Sequence, residues 1–277
     1  MKKFYFLMLC LLTLSVSAIA QTVKSVSSPD GNIKVDVRIG NGITYDVYCG
    51  EEKVLADCRM SMDIEGNVLG SLPKLQSVKR QKVNDVKRPF LKLKFAEVPN
   101  NYNEMTLVMK GNYSVVFRAY NDGLAYRFVT SLKGEVKVNH EDITVFFPQD
   151  AQLVLQQSDR YRTSYEERYS FVKSSEWLSF QKMAHYPVLA ITSGGTKILM
   201  SESDLCDYPA PFFRSNDANG FSSVFPRVPA VEKPRSDKSN DVLLRHPYIA
   251  KTQGTRSFPW RYFVIAKDEA ALVTNTM

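Results

Sequence analysis

This 277-residue sequence predicts an all-β fold, a sandwich or barrel of antiparallel strands, on three observations. Apolar and polar residues alternate with a period of two along most of the chain. Short turn sequences built from Gly, Asn, Asp and Pro separate the alternating runs. Helical periods are few, and strand following strand without helices between them argues against a parallel α/β sheet.

The elements follow in chain order. After a Pro29-Asp30-Gly31-Asn32 turn, Ile33, Val35, Val37 and Ile39 point one way while Lys34, Asp36 and Arg38 point the other. Gly40-Asn41-Gly42 turns the chain into residues 43–49, so these two runs read as a hairpin. Leu91, Leu93 and Phe95 alternate with Lys92 and Lys94, which reads as the dry and wet faces of a half-buried strand. Tyr113, Val115 and Phe117 repeat the pattern, Asn121-Asp122-Gly123 turns, and Leu124, Tyr126 and Phe128 return. Further strands are expected at 105–109, 135–138, 143–147, 187–192, 197–201 and 260–266.

Two segments break the pattern. Residues 150–183 are polar and aromatic, with Tyr161, Tyr165, Tyr169, Phe171 and Trp177, and show no clear period. Residues 209–240 carry Pro209, Pro211, Pro226, Pro229 and Pro234 and read as a long surface excursion. Long irregular segments on a β scaffold are where binding concentrates.

The N-terminus has a different character. Met1-Lys2-Lys3 precedes an almost wholly apolar run from Phe4 to Val16, too short to anchor in a bilayer, and Ala18-Ile19-Ala20 has the small–x–small form of a cleavage site. Residues 1–20 are therefore expected to be a signal peptide cut between Ala20 and Gln21, leaving one domain over residues 21–277. No later apolar run approaches membrane length, so an exported, periplasmic protein is expected, with no membrane partner after cleavage.

Cys49, Cys58 and Cys206 remain after cleavage. An odd count leaves no complete disulfide framework, and Cys49 lies in phase with Ile43, Tyr45 and Val47, which favours a buried free thiol. Removing Lys2 and Lys3 lowers the formal charge from +7 to +5. The excess gathers at Lys79, Arg80, Lys82, Lys87, Arg88, Lys92 and Lys94. Its alternation with apolar residues reads as a solvated strand face, and export removes nucleic acid as a partner.

Candidate chemistry is sparse. Glu166-Glu167 stands among Tyr161, Tyr165 and Tyr169, and carboxylates beside flat rings suit a hard cation or a sugar as well as a plain solvated pair balanced by Arg162 and Arg168. Glu202, Asp204 and Asp207 follow a strand end, where turn formation explains them equally well. His140, His185 and His246 are scattered without metal-ligand spacing. Neither a nucleophile elbow, nor a phosphate-binding glycine loop, nor an HExxH motif is present.

Several stretches in shared order resemble the N-terminal domain of glycoside hydrolase family 97, the family of Bacteroidetes α-glucosidases and α-galactosidases. They are Ser28-Pro29-Asp30-Gly31-Asn32-Ile33-Lys34-Val35, Ile43-Thr44-Tyr45-Asp46-Val47 and Val54-Leu55. Tyr120-Asn121-Asp122-Gly123-Leu124-Ala125-Tyr126-Arg127-Phe128 and Ser164-Tyr165-Glu166-Glu167-Arg168-Tyr169 follow. Residues 201–209, with Glu202, Asp204 and Tyr208, and the run Pro259-Trp260-Arg261-Tyr262-Phe263-Val264-Ile265-Ala266 complete the set.

The resemblance implies a β-supersandwich of the galactose-mutarotase-like kind. It also implies a domain that packs against a (β/α)₈ barrel, closes one side of its active site and contributes one glutamate to a bound Ca²⁺. That glutamate is similar in position to Glu166, with Glu167 the alternative one residue along. The stretch from Asp204 to Tyr208 resembles one near the domain interface. Residues 268–273 resemble the helix that leads into the barrel, and the sequence ends at Met277. The catalytic acid and base are therefore expected to lie outside this sequence, and the chain alone to be inactive and to hold Ca²⁺ poorly. The expected partners are an α-glucan-like oligosaccharide and a separately encoded barrel. The alternative is a free-standing periplasmic carbohydrate-binding or adaptor protein.

Overall fold

The computed structural model describes residues 21–91 and 94–277; the expected signal peptide at residues 1–20, and Lys92 and Leu93 of the basic run, lie outside them. The chain runs through β1 (Thr22–Ser27), β2 (Ile33–Ile39), β3 (Ile43–Cys49), β4 (Glu52–Ile64), β5 (Asn67–Leu69) and β6 (Leu75–Lys87). It continues through β7 (Val98–Met109) and β8 (Tyr113–Tyr120) into β9 (Gly123–Phe146), a strand of 24 residues. Then come β10 (Gln152–Ser158), β11 (Tyr169–Lys173), β12 (Met183–Ile191), β13 (Lys197–Ser203), β14 (Phe212–Ser215) and β15 (Gly220–Val224). The last elements are β16 (Pro229–Ser236), β17 (Ser239–Arg245), β18 (Ala250–Ser257), β19 (Trp260–Ala266) and the helix α1 (Glu269–Thr274).

The all-β reading holds, and the strands assemble into two antiparallel ladders. One passes β1, β2, β3 and β4, reaches the C-terminal half of β9, and goes on through β15 and β14 to the start of β12. The other passes β6, β7 and β8, reaches the N-terminal half of β9, and goes on through β19 and β13 to the end of β12. Sharing β9 and β12 folds the two ladders over one core. Tyr45 of β3 meets Phe117 of β8 and Tyr126 of β9 across that core, with ring centroids 6.0 and 5.6 Å apart.

Period-two alternation explains why these strands face as they do. Ile33, Val35, Val37 and Ile39 are all buried while Lys34, Asp36 and Arg38 face outward. Each fully buried valine or isoleucine contributes about 1.5–3 kcal/mol, so one such strand fixes its own orientation. The β2–β3 hairpin pairs Ile39 with Ile43 and Ile33 with Cys49, as the turn glycines indicate. The Asn121-Asp122-Gly123 turn closes β8 onto β9, and a side chain at Gly123 would run into the Phe263 carbonyl of β19. Cys49 and Cys58 are buried free thiols, and Cys206 is an exposed one.

Four expectations are corrected. Leu91, Lys94 and Phe95 are not strand: they lie in the exposed link between β6 and β7, where the hairpin has run past the core and the alternation has no apolar layer to face. The basic residues Lys79, Arg80, Lys82 and Lys87 are solvated on β6, as expected. The separate strands expected at 135–138 and 143–147 are parts of one long strand, because β4 and β18 pair along it and hold it extended.

Residues 150–183 contain β10 and β11, and Trp177 between β11 and β12 is fully buried. Residues 209–240 are only partly an excursion. β14 and β15 bury Phe212, Phe213 and Phe221, and their four and five residues are too few to display a period. The excursion proper is the exposed pair β16–β17, a separate two-stranded sheet.

Candidate functional site

The site is assembled where the 159–168 loop, between β10 and β11, lies over the ends of β12, β13 and β14. Local chemistry shapes this loop. The Ser158 hydroxyl donates to the Arg160 carbonyl at 2.8 Å, and Thr163 Oγ1 accepts from the Tyr165 N–H at 3.2 Å. Tyr165 is held at φ +61°, an uncommon conformation for an aromatic residue. What holds it is tertiary: its ring meets the His185 ring edge-on at 4.6 Å and lies 6.3 Å from Phe212. Tyr161 adds an edge contact to Phe212 at 5.2 Å. Gln156 Nε2 donates to the Glu167 carbonyl at 2.8 Å, and Arg162 pairs with Asp241 of β17 at 3.1 Å.

Glu166 sits between these anchors, exposed, and makes no hydrogen bond or ion pair with any described residue. Glu167 is exposed beside it. Among the described residues no group of three or more His, Cys, Asp or Glu side chains could hold a metal ion. Ca²⁺ takes six to eight oxygens, and the described residues gather no such set around Glu166.

Beneath the loop is a charged cluster that the sequence reading did not single out. Arg261 of β19 is fully buried and forks onto Glu141 of β9, with Nε to Oε1 at 3.0 Å and Nη2 to Oε2 at 2.7 Å. Its remaining Nη1 bonds Glu202 of β13. The rings of Tyr208 and Phe225 stand 5.9 Å from the guanidinium. Burial, reinforced by the Glu141 charge, lifts the Glu202 carboxyl to about 7 although Arg261 opposes the shift. Burial works against the Arg261 charge as well, but two carboxylates outweigh it and its pKa is raised. Burial and then the nearby Glu202 push the Tyr165 phenol up, which places the loop anchor beside this cluster.

The three charges were visible as an anomaly of phase. Glu141 is in step with Ile143 and Val145, Glu202 with Ile198 and Met200, and Arg261 with Phe263 and Ile265, all facing the core. A charge on the apolar phase of a strand is costly unless paired, so three of them signal a buried network. The other acids expected near the site serve the backbone. Asp204 and Asp207 take φ +60° and +51° in the turn after β13, and Asp204 pairs with Arg127 at 3.3 Å. Tyr208 is buried over Arg261.

The histidines are separated from one another. His185 is buried under Tyr165, His140 lies edge-on to Phe225 at 6.4 Å, and His246 stacks on Tyr248 at 4.8 Å. The arrangement thus offers two free carboxylates, Glu166 and Glu167, on a pinned loop and a buried ionic pin that joins β9, β13 and β19 below it.

Comparison with known proteins gives this arrangement a family. The model described as glycosyl-hydrolase 97 N-terminal matches residues 26–277. The retaining alpha-galactosidase of Bacteroides thetaiotaomicron is 33% identical over 292 residues, an alignment that covers 100% of this chain and 43% of that protein. A glycoside hydrolase family 97 enzyme from Pseudoalteromonas sp. strain K8, solved with acarbose, matches with a TM-score of 0.75 at 19% identity, covering 91% of this chain and 37% of that one. A beta-arabinopyranosidase structure matches with a TM-score of 0.74 at 20% identity, covering 88% and 40%. At such identities the two structures establish the fold alone. The chain spans less than half the length of the relatives it matches. With the family model covering nearly every described residue, this chain belongs to the glycoside hydrolase family 97 N-terminal family.

Proposed function

We propose that this domain closes the active site of a family 97 α-glycosidase, with the chemistry supplied by a (β/α)₈ barrel. In this reading the Glu166 loop faces the barrel, and Glu166 gives one oxygen ligand to a Ca²⁺ completed by residues outside the described chain. One observation carries it: a carboxylate without a protein partner, on a loop pinned from both sides by Tyr165 and Gln156. A free acid on a mobile loop would be solvated and featureless, whereas fixing its neighbours preorganises it for something outside the chain. The relative's name supports an α-linked galactoside as the kind of oligosaccharide acted on.

The test joins the domain to a family barrel and replaces Glu166→Gln. Apparent calcium affinity, read from calcium-dependent hydrolysis of an aryl α-galactoside, should fall by about tenfold or more, because affinity follows ligand charge. The melting temperature should stay nearly constant, as for other exposed positions. Calcium dependence identical to that of the parent would end the ligand assignment, and a large loss of thermal stability would move Glu166 into a structural role.

A further inference from the structure

The strand alternation that turns Arg261 toward the core turns Trp260 and Tyr262 outward, and there they floor a cleft of about 610 Å³. Small-molecule sites fall in the range of about 300–1,000 Å³. Tyr120 of β8 and Ala125 of β9 complete the floor, and the Asn121-Asp122-Gly123 turn borders it. The floor is rigid. The Arg118 and Arg127 guanidinium groups lie 4.4 and 4.2 Å from the Trp260 ring, and Arg118 also lies 4.4 Å from the Tyr102 ring. Such stacking of cations on rings fixes both partners.

The walls are polar, and their cations are already matched. Arg118 Nε donates to Glu104 at 2.8 Å. Lys87 pairs with Asp85 at 2.5 Å, and Asp122 accepts from Asn275 at 2.6 Å. Asn100 and Asn101 also line the cleft. The cleft therefore presents the partly exposed rings of Tyr120 and Tyr262, a planar guanidinium and amide groups, while Trp260 is buried against Arg118 and Arg127. A pyranose is complementary to this set: its C–H face packs on an aromatic ring, and its vicinal hydroxyls take planar bidentate partners. An anionic ligand would find each cation already paired.

We propose that this cleft binds a neutral oligosaccharide, at a site separate from the Glu166 loop. The inference rests on the family reading for the class of ligand and on the cleft for the place. Titrating the isotope-labelled chain with maltotriose and with raffinose, and with glucuronate as the anionic control, tests it by NMR. Saturable shifts at the Asn100, Tyr120 and Tyr262 amides and at the Trp260 indole N–H are expected with a neutral sugar. Tyr262→Ala should weaken binding by about tenfold, the worth of one aromatic stacking partner. Asn100→Ala, which removes no core packing, provides a second variant and should weaken binding as well. Shifts confined to residues 159–168, a stronger response to glucuronate, or no response to either neutral sugar would each overturn the assignment. None of these outcomes bears on the calcium-dependent hydrolysis that tests Glu166, so the two readings fail separately.

Discussion

Asp46 and Glu202 are both acids drawn into the same β-sandwich beside an arginine, and their surroundings drive them in opposite directions. Burial would raise Asp46, but Arg38 donates to it at 2.6 and 3.0 Å, the Asp57 N–H at 2.7 Å and Lys53 at 3.0 Å, and the carboxyl is held at about 2. Glu202 shares one guanidinium with Glu141, has little access to water, and is lifted to about 7. The difference is one of stoichiometry. Two cations and a backbone donor around one acid outweigh the cost of burial. One cation between two acids does not.

The comparison breaks hardest at Arg261. Arg261→Met leaves Glu141 and Glu202 buried without a countercharge and should cost about 3–5 kcal/mol, read from urea denaturation at pH 7. An unchanged midpoint would mean that the cluster does not stabilise the fold.

Next in size is the pH dependence of Glu202. Its folded pKa of about 7 lies above the ordinary glutamate value of 4.5, so folding opposes its ionised form. The group's stability is full below about 4.5 and is lost as pH rises through about 7. By pH 8 the cost reaches about 3 kcal/mol. Glu202→Gln should flatten that slope and leave the variant the more stable protein at pH 8, by about 1–3 kcal/mol. Parallel stability curves between pH 5 and 8 would remove Glu202 from the account.

The smallest effect is at Asp46, where the sign reverses. Its depressed pKa contributes stability above 3.8 that is lost as pH falls through about 2. Asp46→Asn should weaken the protein by about 1–2 kcal/mol at pH 7, the Coulomb gain being screened beside exposed Lys53 and Asp57. The gap to the parent should close toward pH 2, and a gap that widens on acidification would contradict the pairing.

How much of this was legible in the sequence depends on strand length and on range. β2, β3, β8 and the start of β9 were readable because seven or eight residues of strict alternation leave one orientation that buries the apolar set. α1 was expected at residues 268–273 from the family resemblance, and in the structure Asp268 caps it by accepting from the Ala271 N–H at 2.8 Å. β14 and β15 were not, because Phe212, Phe213 and Phe221 stand among prolines and polar residues and are buried only by β9 and β12. The Glu166 loop was marked by its residue types, but Tyr165 as its anchor depends on His185, 20 positions away in sequence and on a different strand.

The sequence by itself determined the class of the fold and the inward and outward phase of the long strands, because alternation and turn chemistry are local properties of a chain, and the family followed from the resemblance of its ordered motifs. Only the tertiary structure decided which charges meet. Arg261 lies 120 residues from Glu141 and 59 from Glu202, and a shift of one residue in either ladder would turn a partner to the other face of the sheet. Register across distant strands sets the pKa of Glu202 and places Tyr165 beside it, because both depend on pairings that no local stretch contains.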